Sequence, residues 1–280
     1  MSGACALLAL LPLVQEPAPA ASAVPLQVQS FNLRYAGAPD GEDRWELRRD
    51  RAARFLEEHP ADLVAFQEVE AVQLAWLRER LPGWTLAGAF RGAEGGGEWV
   101  GLALDPKRLE LLEQEVFWLS ETPELPGSRS WDAALPRVAI LAILRDRAGG
   151  ARFQVLATHL DHRGPKARLE SARRIAARLR PGLPALVLGD LNADEGSPPL
   201  EVLLDAGLRD TFRLRHPRAR APGELGTFHG FRPEPDGRRI DWILAGPEWE
   251  VLAAAIHRDR YGGRAPSDHT PVSARLFLRP

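Results

Sequence analysis

Asp190 and Asn192 stand two residues apart at the end of the apolar run Ala185-Leu186-Val187-Leu188-Gly189. In an extended chain, residues i and i+2 face the same side. A carboxylate and a carboxamide would then project together where a strand ends. Alone, the pair reads equally well as a capped turn. Other segments repeat the pattern: Ser30-Phe31-Asn32, Phe66-Gln67-Glu68, Ala157-Thr158-His159-Leu160 and Ser267-Asp268-His269. Strand packing asks for none of these polar ends, and strand ends on one edge of a sheet can converge. The converging groups would be the carboxylates of Glu68, Asp190 and Asp268, the amides of Asn32 and Asn192, and the imidazoles of His159 and His269. Hard oxygen donors beside imidazoles suit Mg²⁺- or Mn²⁺-assisted attack on a phosphate ester. Asp241, in Arg239-Ile240-Asp241-Trp242, adds a carboxylate able to fix the tautomer of a histidine and raise its basicity. His159 as an imidazolium could bind a phosphoryl oxygen. For any lone histidine a satisfied structural role is the better reading; the coincidence of the motifs argues otherwise.

Positioning these groups needs many strands. The pattern predicts strands over Leu26–Leu33, Asp62–Val69, Trp99–Asp105, Val138–Leu144, Phe153–Leu160, Ala185–Gly189, Ile240–Ala245 and Val272–Leu278. Several are apolar on successive residues, as in strands covered on both faces. Helical periodicity places Trp45, Ala52, Phe55 and Leu56 on one face, with Asp43 as N-cap, and Leu169, Ala172, Ile175, Ala176 and Leu179 on another. A third helix is expected to start at Ser197 with Pro198 in its first turn and to stop at Gly207. Several strands follow one another without a helix between them. That excludes a simple doubly wound sheet and favours stacked sheets with helices outside.

The 280 residues carry a formal net charge of −2, with 45% hydrophobic and 26% charged residues. This is an ordinary globular composition without a global basic field. Lys107 and Lys166 are the only lysines, so the remaining basic residues are arginines, some of which could clamp phosphate. Cys5 is the only cysteine, which excludes an intrachain disulfide and a cysteine-based zinc site. Ala4 to Val14 is apolar but too short to span a bilayer. The Ala- and Pro-rich stretch after it ends in Ala21-Ser22-Ala23, an A-x-A cleavage pattern. Residues 1–23 therefore read as a secretory signal peptide, although no Lys or Arg precedes the apolar run. The alternative is a disordered N-terminal segment on a cytoplasmic protein. Export to the periplasm or outside the cell is the expectation, with one domain over 24–280, no integral membrane span, and a monomer.

The ordered motifs resemble those of the endonuclease/exonuclease/phosphatase superfamily, the DNase I-like fold, and within it the small bacterial metal-dependent hydrolases. The resemblance covers the chain from about Val24 onward. It rests on Phe31-Asn32-Leu33-Arg34-Tyr35, on Leu119-Ser120-Glu121-Thr122-Pro123 through Gly127-Ser128 with Trp131-Asp132, and on Thr158-His159-Leu160-Asp161-His162. It implies an α/β four-layer αββα sandwich of two packed mixed sheets flanked by helices. It implies Mg²⁺ or Mn²⁺ held by Glu68, Asn32 and Asp268, and Asp190 orienting or deprotonating the attacking water with Asn192 as amide partner. His269 would be general base or phosphate ligand, Asp241 would orient it, and His159 would steady the phosphate with Glu98 behind it. Where some nuclease members carry an acidic residue two positions after the first-motif Asn, this chain has Arg34. Arg137 reads equally as a phosphate ligand or as a solvated strand edge.

The expected reaction is metal-dependent hydrolysis of a phosphodiester or phosphomonoester by in-line attack of water. The alternatives are a secreted phospholipid or sphingolipid phosphodiesterase, a sugar- or inositol-phosphate phosphatase, and a non-catalytic binding module. Trp118, Trp131 and Phe231 would serve a lipid substrate. The run Arg213, Arg215, Arg218 and Arg220 would serve a nucleic acid, which remains among the allowed partners.

Overall fold

The computed structural model describes residues 24–279, and the expected signal segment, 1–23, lies outside the described residues. The strand Ala185–Asp190 shows how the architecture follows from the sequence. Leu186 and Leu188 enter a core between two sheets, while Ala185 and Val187 enter a second core beneath helices. Both faces of the strand are buried, so its apolar residues run consecutively instead of alternating.

The first sheet contains β1 (Leu26–Asn32), β2 (Leu63–Val69), β3 (Thr85–Phe90), β4 (Trp99–Leu104), β11 (Trp249–Ile256) and β12 (Val272–Leu278), in the order β11-β12-β1-β2-β4-β3. The second contains β5 (Leu109–Trp118), β6 (Val138–Asp146), β7 (Arg152–His159), β8 (Ala185–Asp190), β9 (Arg209–Asp210) and β10 (Asp241–Ala245), in the order β5-β6-β7-β8-β10-β9. Each sheet has one parallel pair near its middle, β1 with β2 and β7 with β8, and is otherwise antiparallel. Val28, Leu63, Val155 and Leu188 meet in the layer between the sheets. Helices α1 (Trp45–Glu58) and α2 (Ala71–Arg80) cover the outer face of the first sheet, where Phe31, Phe55, Phe66 and Leu77 pack together. Helices α3 (Pro165–Arg178) and α4 (Pro198–Asp205) cover the second, burying Ile175 and Leu203 against Leu156 and Val187. Each such side chain contributes about 1.5–3 kcal/mol when fully buried, so the three stacked cores, not helix propensity, hold the layers together. The result is the expected αββα sandwich. Two short helices, α5 (Thr211–Arg215) and α6 (Pro222–Leu225), sit in the connection from β9 to β10. Among the described residues no helix is long and apolar enough to cross a membrane.

Some local expectations fail for identifiable reasons. Arg44, not Asp43, occupies the N-cap position of α1; the Asp43 carboxylate is bound instead by Arg51 and Arg264. Ser197 does precede α4, but its hydroxyl donates to the Asp194 carbonyl and makes no cap bond. Helix α2 escaped notice, although Glu70 and Gln73 close it with a reciprocal capping box. The first turn of α3 is capped from afar: the Asp132 carboxylate accepts from the N–H groups of Lys166 and Ala167.

Candidate active site

The two parallel pairs place the chemistry. β1 and β2 both run toward one edge of the sandwich, delivering Asn32 and Glu68 there. β7 and β8 do the same with His159 and Asp190, which are register partners. β10 is antiparallel to β8 and begins with Asp241 opposite Asp190. The segment before β12 brings Asp268 and His269 to the same edge, since β12 is antiparallel to β1. Every residue expected at the site therefore arrives at one cleft. Asn32, His159, Asp190, Asp241, Asp268 and His269 are buried.

The backbone is strained where it turns side chains inward. Glu68 has φ +58 at a register irregularity between β2 and β4, and Arg34 (φ +53) and Asn192 (φ +47) are also left-handed. Non-glycine residues hold this conformation at some cost, and such outliers concentrate at functional sites. Gly189 answers a different demand. A Cβ there would sit 2.0 Å from the Thr158 carbonyl oxygen, so only glycine lets β8 approach β7 with φ +148 just before Asp190.

Asp190 is the hub. Its Oδ2 accepts from Asn32 Nδ2 at 3.1 Å, lies 3.3 Å from His159 Nε2 and 3.8 Å from His269 Nε2. Its Oδ1 accepts from the backbone N–H of Asn192 at 2.9 Å. Burial first, and then the Asp241 carboxylate, push the Asp190 carboxyl up to about 7. The Asn192 amide donates to Leu160 O at 3.1 Å and faces His159 Nε2 at 3.1 Å. His269 Nδ1 lies 2.9 Å from Asp241 Oδ2, and Thr227 Oγ1 accepts from the backbone N–H groups of Ile240 and Asp241 at 3.0 and 3.1 Å. Burial alone would lower His269, but the Asp241 and Asp190 carboxylates outweigh it and hold the imidazole charged, well above the ordinary histidine range.

His159 differs from the expectation of an imidazolium. Burial, then the guanidiniums of Arg137 and Arg91, hold it well below the ordinary range, so it is neutral. Glu98 is not its partner: Glu98 Oε1 pairs with Arg91 Nη2 at 2.9 Å. Arg137 is buried, faces His162 Nδ1 at 3.2 Å and lines the cleft, so the solvated-edge reading is wrong. Arg34 is held bidentately by Asp40 at 3.0 Å and approaches Asp268 Oδ2 at 3.5 Å. Arg91, His162 and Arg238 line the cleft too and were missed; His162 stood in plain view in the Thr158–His162 motif. The Asp161 carboxylate pins the loops around them through the N–H groups of Ala134, Leu135, Arg163 and Gly164.

The donor set fits a hard divalent cation. Glu68 and Asp190 bring carboxylate oxygens within 4.8 Å of each other and of the His269 ring, which, held charged, is a neighbour of the cation and not its ligand. Burial, and after it the Glu68 charge, also raise Asp268 and Glu98, so carboxylates crowd this side of the cleft even with Arg34 and Arg91 beside them. Two expected ligands are less direct. Asn32 turns its NH₂ toward Glu68 and Asp190, because its Oδ1 accepts from Arg34 N at 2.9 Å. Asp268 is engaged by Ser267 Oγ and by Arg34.

Two of the other residues expected to meet substrates are engaged within the fold. Arg213 binds Glu195 at 2.6 Å, and Trp118 is buried with its indole N–H on the Arg91 carbonyl. Trp131 and Phe231 are half-buried.

A family model described as the Endonuclease/Exonuclease/phosphatase family matches residues 30–269. Among solved structures, a Bacteroides vulgatus endonuclease/exonuclease/phosphatase is 33% identical with TM-score 0.83, the match covering 91% of this chain and 99% of that one. A Bacteroides thetaiotaomicron endonuclease/exonuclease/phosphatase family protein is 31% identical with TM-score 0.83, covering 91% and 95%. The Bacteroides thetaiotaomicron mannosyl-6-phosphatase Bt3783 is 31% identical with TM-score 0.79, covering 90% and 99%. No curated protein matches the chain.

Proposed function

The chain belongs to the endonuclease/exonuclease/phosphatase family, and from that premise we propose that it is a Mg²⁺- or Mn²⁺-dependent hydrolase of a small phosphomonoester such as a sugar phosphate. The observation that carries the hydrolytic reading is the single carboxylate oxygen, Asp190 Oδ2, shared by Asn32, His159 and His269 at 3.1, 3.3 and 3.8 Å. Glu68, across Asn32 from Asp190, would hold the cation with Asp268 behind it. Bound there, a divalent cation supplies charge neutralisation for the phosphoryl oxygens.

The chain's own groups divide the remaining work. Asp190, with its carboxyl near 7, is matched to accept a proton from the attacking water at neutral pH. The Asn192 N–H and the Asn32 amide fix its orientation. As the new P–O bond forms, the ester P–O bond opposite it breaks, and the departing oxygen takes a proton from solvent. The charged His269, locked by Asp241 and 3.8 Å from the Asp190 oxygen, lies on the attacking side, where its Nε2 proton holds a phosphoryl oxygen. Arg137 and Arg91 present guanidinium N–H groups to the same cleft, where burial strengthens their pull on developing charge. Neutral His159 accepts at Nε2 from Asn192 and keeps that amide in place.

The substrate class rests on the cleft and on one relative. The cavity holds about 670 Å³ and is lined by carboxylates together with Arg91, Arg137, His162 and Arg238. That is room for one polar ligand of metabolite size. A relative of 31% identity over 90% of this chain is a mannosyl-6-phosphatase.

A phosphate-release screen with Mg²⁺ and Mn²⁺ tests both levels. The panel is sugar phosphates including mannose 6-phosphate, bis-p-nitrophenyl phosphate, sphingomyelin, RNA and plasmid DNA. Orthophosphate released fastest from a sugar phosphate is expected. Preference for a diester or for nucleic acid would overturn the substrate class alone; no turnover of any ester would overturn the hydrolase.

A further inference from the structure

A second cluster of metal-binding side chains lies outside the cleft. His59 follows the last turn of α1, His257 follows β11, and Asp259 is two residues further on. One donor atom from each lies within 4.8 Å of the other two. His59 Nε2 is 3.2 Å from Asp259 Oδ2, and His257 Nδ1 is 4.0 Å from the same oxygen. We propose that His59, His257 and Asp259 form a separate site for a transition-metal dication of the Zn²⁺ class, which staples the end of α1 to the end of β11.

The donor chemistry separates this site from the first. Two imidazole nitrogens and one carboxylate oxygen suit Zn²⁺, Co²⁺ or Ni²⁺, whereas Mg²⁺ takes oxygen donors. The hydrogen bonds around the cluster leave the right atoms free. His257 uses Nε2 on Ser273 Oγ at 2.8 Å, which fixes the ring and leaves Nδ1 facing Asp259. Metal-bound histidines characteristically anchor their second nitrogen this way. His59 Nε2 is buried and has no hydrogen-bond partner although Asp259 is within hydrogen-bond distance, so the contact fails on angle. A nitrogen and an oxygen this close but misaligned suit a third atom between them better than a shared proton.

The two rings are held rigidly. Their centroids are 4.3 Å apart, and Phe55 packs against both, at 4.7 Å from His59 and 5.4 Å from His257. Gln29 Nε2 donates to the His59 carbonyl and His257 N donates to Pro271 O, fixing the backbone on both sides. The side chains of His59, His257 and Asp259 remain 26%, 14% and 33% exposed, which leaves a side open for a water ligand and for metal entry.

The test uses the full chain, stripped with EDTA and dialysed against Zn²⁺ or Co²⁺, as Glu68→Gln, which disables the cleft, alone and with His59→Gln or Asp259→Asn added. Mass-spectrometric metal counting should show about one equivalent of Zn²⁺ in Glu68→Gln that is lost in both double variants. Co²⁺-loaded Glu68→Gln should give an intense visible d–d band, absent once His59→Gln is added. Zn²⁺ should raise the Tm of Glu68→Gln and leave that of the double variant with His59→Gln unchanged. In EDTA all variants should melt within about 3 °C of one another, since a half-exposed ion pair contributes little. Equal Zn²⁺ content and equal Zn²⁺-dependent Tm with and without His59→Gln would overturn the site and leave His59–Asp259 as an ion pair. Should neither double variant fold, absence of the Co²⁺ band in Glu68→Gln would overturn it on its own.

Discussion

His159 Nε2 and Asp190 Oδ2 meet at 3.3 Å across the parallel β7–β8 pair, and the environment displaces them in opposite senses. Burial and Arg137 keep the imidazole neutral, while burial and Asp241 push the carboxyl up to about 7. Below about pH 7 Asp190 carries a proton, which must leave before Asp190 can act as a base.

Asp190→Asn separates chemistry from folding. Turnover should fall by roughly two to four orders of magnitude, as for loss of a positioned base. Because burial raises the Asp190 carboxyl from 3.8 to about 7, the metal-free fold binds this proton more tightly than the unfolded chain does. Asp190 therefore favours the fold fully below about pH 4, and that contribution is lost as pH rises through about 7. Melts in EDTA from pH 4 to 8 should show wild type losing Tm over this window and Asp190→Asn losing less. Parallel curves would mean Asp190 ionises without strain.

Asp241→Asn should move the alkaline limb of kcat/KM to lower pH. His269 is held charged chiefly by Asp241, against the pull of burial. Its stabilising charge is complete below the ordinary histidine range and disappears as pH rises through the raised value; without Asp241 that happens sooner. A pH–rate profile with an unmoved alkaline limb would remove the His269 charge as a stabiliser of the phosphoryl oxygens.

Gly189→Ala should be among the most damaging single-methyl changes in the protein. The added Cβ meets the Thr158 carbonyl oxygen at 2.0 Å, and its nearest neighbours are all Thr158 backbone atoms, with nothing flexible to yield. A loss of about 3 kcal/mol or more is expected from chemical denaturation, with turnover falling as β7 and β8 part. A variant of wild-type stability would mean the strands have slack.

Arg48→Met tests how the first motif is held. Arg48 is fully buried and donates to the carbonyls of Leu33 and Arg34, just after Asn32, and to Pro266, just before Ser267. Removing it takes a donor from all three, at about 1–3 kcal/mol for each carbonyl left unpaired, while Arg34 O keeps the Gln73 amide. Both unfolding free energy and kcat should drop. Unchanged kcat in the folded fraction would show that the Asn32 and Asp268 segments hold themselves.

The strands legible in the sequence are the interior ones of both sheets, and those missed are β3, β5, β9 and β11, the four sheet edges. Interior strands are buried on both faces and read as apolar runs. β5 carries Glu110, Glu113 and Glu115 on exposed or half-exposed positions, the charge that protects an edge from pairing, and this hides its periodicity. The site was legible wherever a polar residue ends such an interior run. Arg91 and Arg238 lie on other segments, and only the folded chain brings them to the cleft. Glu98 was misassigned for the same reason, because its partner Arg91 is reached across a turn.

The central claim is that the Glu68–Asp190 cleft works on a phosphate ester with a hard divalent cation. The direct measurement is steady-state phosphate release from a sugar phosphate by the full chain in EDTA, then after titration with Mg²⁺ or Mn²⁺, in parallel with Glu68→Gln. Activity should vanish in EDTA and return with the added ion, and Glu68→Gln should need far more of it. Full turnover in metal-free buffer, or a Glu68→Gln variant with the wild-type ion requirement, would contradict the account.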